Sequence, residues 1–132
     1  MYLLDTDTLV YLLKGNSAVE KNLQANLHTP ITTSVITIME LYYGAFKSQH
    51  VSTNLAKVRN IEKVLDIIPI AQEITETFGS LKANLEGQGN RLDDFDLAIA
   101  ACAMAHNFTL VTNNTKHFTR IDGLKLENWA GM

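Results

Sequence analysis

The segment YLLDTDTLVYLL, residues 2–13, decides the fold of this chain. It opens with an apolar run that predicts a buried strand over residues 1–4, ending at Asp5. Thr6 to Leu13 then carries apolar residues at helical spacing, and Gly15 with Asn16 stops that helix. A strand that runs directly into a helix is a typical opening unit of an α/β protein.

Strands and helices are expected to alternate along the rest of the chain. Segments rich in β-branched or apolar residues predict strands over residues 31–36, within 66–70 and over 109–112. Helical spacing predicts helices over residues 17–26, from 37, from 52, over 73–86 and over 94–106. Apolar residues in the tail are expected to dock it on the body. We therefore expect one α/β domain, residues 1–132, with a mostly parallel sheet whose ligands bind beyond the carboxyl ends of the strands.

The composition limits the class of protein. The 132 residues carry a net charge of -3 and are 46% hydrophobic, as in a globular protein. We expect no secretory signal, no membrane span and a cytoplasmic location, because the longest apolar run is only Leu97 to Ala105. Cys102, the one cysteine, lies in that run and is expected to be a small buried residue. Binding to nucleic acid would depend on local basic residues and bound metal, since the overall charge is acidic.

Two acids, Asp5 and Asp96, occupy positions where burial of a carboxylate costs free energy. Asp5 follows an apolar strand, and a buried carboxylate needs a cation or hydrogen bonds. It could instead cap the next helix, although Asp7 and Thr8 are also able to do so. Asp96 lies in a helix that is apolar on nearly every side and is therefore expected to be buried. Either Asp93 or Asp94 can cap that helix, so capping does not explain Asp96.

Glu40 is a third candidate with a competing structural role. Thr37 to Glu40 fits a capping box, in which the glutamate accepts the amide of the N-cap residue. At about 100° per residue, Glu40 also points away from the apolar stripe, toward a cleft or solvent. That stripe comprises Ile38, Leu41, Tyr42, Ala45 and Phe46. Gly44, one turn later, leaves open space beside Glu40, so both roles stay open.

Acids drawn from several elements suit a divalent metal. Mg²⁺ takes carboxylate oxygens, water and substrate phosphate as ligands. Such a metal can activate water and stabilise the charge that develops on a phosphodiester during cleavage. Asp5, Glu40 and Asp96 are therefore the candidate catalytic residues.

Four segments in the same order resemble those of PIN-domain toxins of the VapC type. They are YLLDTD (2–7), SVITIMELYYG (34–44), DFDLAIAA (94–101) and LVTNNTKHF (110–118), and the tail from Ile121 to Trp129 also agrees. The resemblance covers essentially the whole chain. It implies a three-layer α/β/α fold, endoribonuclease activity with Mg²⁺ or Mn²⁺, a homodimer, and neutralisation by a VapB-type antitoxin encoded beside the toxin in a type II toxin–antitoxin system.

The resemblance also assigns roles to residues. Asp5, Glu40 and Asp96 match the first three acids of the family, with Asp5 and Asp96 as the direct metal ligands. Many relatives have Asp where this chain has Asn114, which argues for one firm metal site. Asp94, two residues before Asp96, is considered as an auxiliary acid, although the two do not share a helical face.

Other polar residues near these segments are assigned to binding or to structure. Thr6 and Thr112 are candidates to place hydroxyls near the acids, with ordinary turn chemistry as the alternative. Lys14, Arg91, Lys116 and Arg120 are candidate phosphate contacts, with solvated surface charge as the alternative. We interpret His117 as structural.

Two other functions remain open at this point. Asp5-Thr6-Asp7-Thr8 after a strand also resembles the first motif of haloacid-dehalogenase-type phosphatases, in which the first Asp becomes an aspartyl-phosphate. That family normally has a larger domain and Thr or Val in place of Leu9. The second alternative is a PIN-like module that binds a partner without cutting RNA, which only Asn114 favours.

Overall fold

The computed structural model describes residues 1–131, and the secondary structure of that range is an alternation of strands and helices. Five strands and seven helices lie within these residues. In chain order they are β1 (Tyr2–Leu4), α1 (Thr6–Leu13), α2 (Ser17–Ala25), β2 (Ile31–Ser34), α3 (Val35–Lys47), α4 (Val51–Val64), β3 (Asp66–Ile68), α5 (Gln72–Gly87), α6 (Asp94–Ala105), β4 (Thr109–Val111), α7 (Thr115–Phe118) and β5 (Leu126–Glu127).

The strands form one sheet in the order β3-β2-β1-β4-β5, and all of its pairings are parallel. Leu3 in the central strand lies opposite Thr32 of β2 and Leu110 of β4. The chain builds outward from β1 through β2 to β3, then crosses to the other side to add β4 and β5. This reversal between β1 and β4 is the switch point at which ligands of open parallel sheets bind.

Successive residues of each strand face opposite layers, so the sheet has a core on both sides. Leu3 and Leu110 pack in a cluster with residues of α5 and α6, whereas Leu4 and Val111 pack in a second cluster with residues of α1 to α4. The expected three-layer α/β/α fold is confirmed. Cys102 is fully buried in α6, as expected. No helix within residues 1–131 is both long and apolar enough to cross a bilayer.

The boundary between β2 and α3 differs from the expected one. The Ser34 side chain accepts the backbone N–H of Thr37 at 3.1 Å, so Ser34 is the N-cap and the strand ends there rather than at residue 36. The capping box expected over residues 37–40 is therefore wrong. Phe46, expected in the buried stripe, is 64% exposed because it lies on the outer face of α3.

The tail contains two short elements that were not predicted, α7 and β5. Each is too short for a periodic pattern, since β5 has only two residues. The tail docks as expected: Leu126 pairs with Leu110, and Trp129 is 2% exposed with its ring edge against Tyr2. At the start of α2, the Asn16 side chain is the N-cap and accepts the N–H of Val19 at 3.0 Å.

Candidate active site

A small cavity at the carboxyl edge of the sheet brings the three candidate acids together. Its volume is about 120 Å³. It lies between the parallel strands β1 and β4, where the order in which strands are added to the sheet reverses. It is lined by Asp5, Thr6, Asp7, Glu40, Asp96, Ile99, Asn114 and Phe118. The four elements that supply the acids and Asn114 are separated in sequence, so only the fold assembles this cavity.

Asp5 is positioned by the backbone around it. Its own N–H donates to the carbonyl of Val111 at 3.0 Å, which ties the end of β1 to β4. Its Oδ1 accepts the N–H of Thr8 at 3.0 Å, so Asp5 caps α1 while also lining the cavity. The capping role considered as an alternative is therefore present together with the placement in the cavity, and Asp7 and Thr8 do not replace it.

Burial changes the acidity of Asp5. The side chain is 5% exposed, and burial raises its pKa to about 6. Hydrogen bonds from Thr112 and Thr8 act in the opposite direction, and the nearby charge of Asp7 adds to the increase. The ionised form of this carboxylate is therefore penalised unless a cation compensates it.

Glu40 lies in the second turn of α3, away from the N-terminal cap. It accepts a hydrogen bond from the Thr6 hydroxyl at 2.6 Å, from the first residue of α1. Because Ser34 caps α3, capping no longer accounts for Glu40. The contact with Thr6 instead fixes its carboxylate at the cavity wall.

Asp96 is held by side chains. Its N–H donates to Asp93 Oδ1 at 3.0 Å, so Asp93 is the cap of α6. Its Oδ2 lies 2.9 Å from Nε2 of His117. Burial raises the pKa of Asp96 to about 6, the hydrogen bond and charge of Asp93 add to this, and His117 opposes it. For Asp93, burial acts to raise the pKa, but the N–H groups of Asp96 and Phe95 and the charge of His117 outweigh it, so the pKa is lowered.

Asp93, Asp96 and His117 form a tighter group than the three candidate acids. Each offers a potential ligand atom, and these atoms lie within 4.8 Å of one another. Sequence reasoning identified Asp93 only as a possible cap and interpreted His117 as structural. The sequence did not reveal this group because α7, the four-residue helix that begins after Asn114 and brings His117 to α6, shows no periodic pattern.

The auxiliary residues take three different positions. Thr112 is fully buried at the end of β4, where its hydroxyl accepts the N–H of Asn114 at 3.0 Å and its side chain lowers the pKa of Asp5. Asn114 is exposed, lines the cavity and makes no side-chain capping bond to α7. The assignment of Asp94 as an auxiliary acid of the site is corrected by the structure. Asp94 does not line the cavity, because residues two apart on a helix face different ways, and it pairs instead with Lys82 at 2.9 Å on the outer surface.

The candidate phosphate contacts also separate. Arg91 lies 3.7 Å from Glu86, and Arg120 donates to the carbonyl of Arg91 at 3.0 Å, so both belong to one surface cluster. Lys116 is exposed on α7. Lys14 is exposed at the end of α1 and lines a groove next to the acid cavity.

The residues of the cavity fit a hard divalent cation. Asp5, Glu40 and Asp96 offer carboxylate oxygens, the donor type that Mg²⁺ and Mn²⁺ prefer, and Asn114 offers an amide oxygen. Two of these carboxyls have a raised pKa because burial disfavours their charge. A cation would offset that cost and the repulsion between the acids.

Comparison with known proteins gives one consistent result over the whole chain. A model of the PIN domain matches residues 2–124. Ribonuclease VapC2 of Haemophilus influenzae is 35% identical over 129 residues, with 98% of both chains covered. The tRNA(fMet)-specific endonuclease VapC of Shigella flexneri is 33% identical over 130 residues, again with 98% of both chains covered.

A solved structure agrees with these relatives in fold as well as in sequence. The crystal structure of VapBC2 from Rickettsia felis, bound to a DNA fragment from their promoter, contains a chain that is 38% identical. The two superimpose with a TM-score of 0.92 over 97% of this chain and 98% of that chain. The expected three-layer fold, the cavity at the sheet reversal and the full-length relatives therefore lead to one conclusion, which is that this chain belongs to the PIN-domain family, in its group of VapC ribonucleases.

Proposed function

We propose that this chain is the toxin of a type II toxin–antitoxin system, a single-domain endoribonuclease over residues 1–132 that acts in the cytoplasm with Mg²⁺, or with Mn²⁺ in its place. The observation that carries the proposal is the convergence of Asp5, Glu40 and Asp96 on one cavity at the carboxyl edge of the sheet. Full-length relatives named as ribonucleases support it.

Each acid has a distinct role in this proposal. Asp5 and Asp96 hold the metal. Bound there, the metal would lower the pKa of a water molecule and stabilise negative charge on the phosphodiester. Glu40, oriented by the hydroxyl of Thr6, accepts the proton of the attacking water. Asn114 and Thr112 support the site, Asn114 from the cavity wall and Thr112 by its hydrogen bond to Asp5.

The partners follow from the relatives. The Rickettsia felis toxin was crystallised in a VapBC2 complex on promoter DNA, and we propose a VapB-type antitoxin for this chain as well. We also propose a homodimer. The exposed apolar side chains of Ile70 and Phe95, beside a largely apolar cavity of about 330 Å³, are the surface that supports it.

The two alternative functions are now unequal. The phosphatase interpretation is incompatible with a PIN domain that spans residues 2–124. A PIN module that binds without cutting differs from the proposal only in activity, because it would keep the same fold. The test must therefore measure cleavage directly.

The experiment is an RNA cleavage assay with purified protein. Transfer RNA is the first substrate, because the Shigella flexneri relative is named a tRNA(fMet)-specific endonuclease. We expect cleavage with Mg²⁺ or Mn²⁺, none after chelation, and arrest of growth when the chain is expressed without its antitoxin. The matched control is Asp122→Asn, which changes an exposed acid that lines neither the acid cavity nor the cavity beside Phe95 and should cut as the parent does. Intact RNA with every divalent metal tried and unaffected growth would rule the proposal out.

A further inference from the structure

Three hydroxyl side chains, those of Thr6, Thr37 and Ser34, lie in a row behind the carboxylate of Glu40. Thr6 lines the acid cavity, while Thr37 and Ser34 lie deeper and are both 0% exposed. Thr6 Oγ1 is 2.6 Å from Glu40 Oε1 and 3.2 Å from Thr37 Oγ1, and Thr37 Oγ1 is 3.5 Å from Ser34 Oγ. This hydroxyl row therefore runs without interruption from the N-cap of α3 to the cavity.

The direction of these hydrogen bonds follows from the single proton that each hydroxyl carries. An ionised carboxylate only accepts, and a hydroxyl oxygen that donates to one typically lies about 2.5–2.7 Å away. The 2.6 Å contact with Glu40 therefore uses the proton of Thr6. In the 3.2 Å contact between the two threonines, the proton must then come from Thr37, and Thr6 Oγ1 accepts it.

Ser34 stands at the far end of the row. Its Oγ accepts the backbone N–H of Thr37 at 3.1 Å, which leaves the Ser34 proton free to point toward Thr37 Oγ1. At 3.5 Å that contact is weak, since hydroxyl hydrogen bonds usually span about 2.7–2.8 Å. The bond from Thr37 to Thr6 is therefore the one that connects the interior of the protein to Glu40.

A neighbouring buried threonine uses its hydroxyl differently. Thr33 is also 0% exposed, but it donates to the backbone carbonyl of Leu4 at 2.7 Å, which satisfies an acceptor of the main chain. Within a helix, a threonine hydroxyl commonly donates to the carbonyl of the preceding turn. Within residues 1–131, the Thr37 hydroxyl instead contacts the side-chain oxygens of Thr6 and Ser34. A buried hydroxyl that donates to a second hydroxyl, which in turn donates to an acid of the cavity, indicates a role in the site.

We propose that Thr37 is a positioning residue for Glu40, the proton acceptor of the reaction. By donating to Thr6 Oγ1, Thr37 directs the single proton of Thr6 at Glu40 and holds that carboxylate in the orientation in which it takes the proton of the attacking water. Thr37 does not line the cavity, so it acts through Thr6. The proposal rests on the proposed ribonuclease function, because it assigns a role within that reaction.

The first test removes the hydroxyl of Thr37. Thr37→Val keeps nearly the same shape and should lower kcat for RNA cleavage about tenfold, less than the roughly 100- to 10,000-fold that an entire general base contributes. KM should stay at the parental value, because Thr37 lies outside the cavity lining. Thr37→Ser should restore kcat, since serine keeps the hydroxyl.

The matched control for this test is Thr33→Val. It removes an equally buried hydroxyl, but one that is bonded to the backbone, so kcat should be unchanged in the folded variant. Parental kcat in Thr37→Val, or an equal fall in Thr37→Val and Thr33→Val, would overturn the proposal.

A double-mutant cycle tests whether Thr37 acts through Thr6. Thr6→Val removes the direct donor to Glu40 and should lower kcat at least as much as Thr37→Val does. The double variant should then cut like Thr6→Val alone, because substitutions along one network of contacts are not additive. Calorimetric titration of Thr37→Val with Mn²⁺ should give the parental Kd, since Asp5 and Asp96 are the proposed ligands. Losses in kcat that multiply in the double variant, or a loss of Mn²⁺ affinity as large as the fall in kcat, would overturn the positioning role.

Proton NMR examines the same hydrogen bonds without any cleavage. In labelled protein at low temperature and in EDTA, the hydroxyl proton of Thr6 should be visible, and Glu40→Gln should move it upfield because the bond to a charged acceptor is lost. Thr37→Val should speed the exchange of this proton with water. Both results in a protein that cuts no RNA would support the hydroxyl row while contradicting the ribonuclease proposal. A Thr6 proton that is unaffected by Thr37→Val would overturn the role of Thr37, even for a protein that cuts RNA.

Discussion

Two walls of the acid cavity, the α1 wall with Asp5 and the α6 wall with Asp96, hold their carboxylates in different ways. On the α1 wall, Asp5 is 5% exposed and bound to the backbone N–H of Thr8. On the α6 wall, Asp96 has a side chain that is 28% exposed and contacts His117 at 2.9 Å. The pKa of each carboxyl is raised to about 6, first by burial; for Asp96 the hydrogen bond and charge of Asp93 are the next largest cause, whereas for Asp5 the charge of Asp7 adds less than the hydrogen bonds from Thr112 and Thr8 take away.

Because of this difference, Asp5 is expected to contribute both to the stability of the fold and to the chemistry of the site, whereas Asp96 is expected to contribute mainly to the chemistry. Asp5 caps a helix, so its position is part of the local backbone structure and its replacement affects stability as well as the site. Asp96 caps nothing, and its environment consists of side chains that can be exchanged one at a time. The two walls should therefore respond equally when activity is measured and unequally when stability is measured.

The largest effect is expected on activity, where the two walls should behave alike. Asp5→Asn and Asp96→Asn each remove one charged ligand while keeping the shape of the side chain. We expect each to reduce RNA cleavage by more than the roughly 10- to 100-fold that loss of an outer hydrogen-bond partner of a metal ligand costs. Single-turnover cleavage assays measure this. A variant of either wall that cut at the parental rate would show that its wall holds no ligand.

The positions of the side chains on the α1 wall could be predicted from the sequence to a greater extent than those on the α6 wall. Asp5 is predictable because an acid directly after an apolar strand lies at the sheet edge wherever the strand pairs. The placement of Glu40 near Asp5 depends on the start of α3, and Ser34 moved that start three residues before the expected cap. His117 was beyond sequence reasoning, because α7 has only four residues and shows no periodicity.

The second effect concerns pH and metal. The carboxyls of Asp5 and Asp96 each have a pKa of about 6 in the folded protein and 3.8 in the unfolded chain. Between these pH values the folded protein therefore binds more protons than the unfolded chain does. In the absence of metal, stability should therefore fall as pH rises from about 4 to about 6 and stay lower above that. For Asp5, which is almost fully buried, the loss is on the order of 3 kcal/mol, while that for Asp96 is smaller because solvent screens it.

Metal should reverse this trend, because it needs the ionised carboxylates. At pH 7.5 and a metal concentration one hundred times Kd, Mn²⁺ should stabilise the fold by about 2.7 kcal/mol. At pH 5 each carboxyl loses about tenfold in availability to metal, and the same concentration should stabilise very little. Thermal unfolding with and without Mn²⁺ at both pH values provides the comparison, with Asp96→Asn as the variant expected to lose the effect. Equal stabilisation at pH 5 and pH 7.5 would contradict these assignments.

A smaller effect is expected for His117, which distinguishes the α6 wall from the α1 wall. His117→Gln keeps a hydrogen-bonding side chain but removes the charge that lowers the pKa of Asp96. We expect metal affinity to fall about tenfold, the lower end of the cost of losing an outer partner of a metal ligand. The acid side of the pH–rate profile should also move to higher pH. Calorimetric titration with Mn²⁺ measures the affinity, and His106→Gln, a histidine outside the cavity, is the control. A shift of equal size in both variants would mean that the contact with Asp96 has no specific role.

The smallest effect should separate the two walls most clearly. Asp5→Ala removes the N-cap of α1 and should cost about 1 kcal/mol of stability beyond what the site itself contributes. Asp5→Asn should keep the cap, since asparagine accepts the N–H of Thr8 equally well. Asp96→Ala removes no cap, because Asp93 holds the N-terminus of α6, and it relieves the repulsion from Asp93. Urea unfolding of the three variants in EDTA, where metal cannot contribute, should therefore place Asp5→Ala below Asp5→Asn, and Asp96→Ala at or above the parent. If Asp5→Ala were as stable as Asp5→Asn, Asp5 would be held by its surroundings alone, and the difference between the walls would lie only in their exposure to solvent.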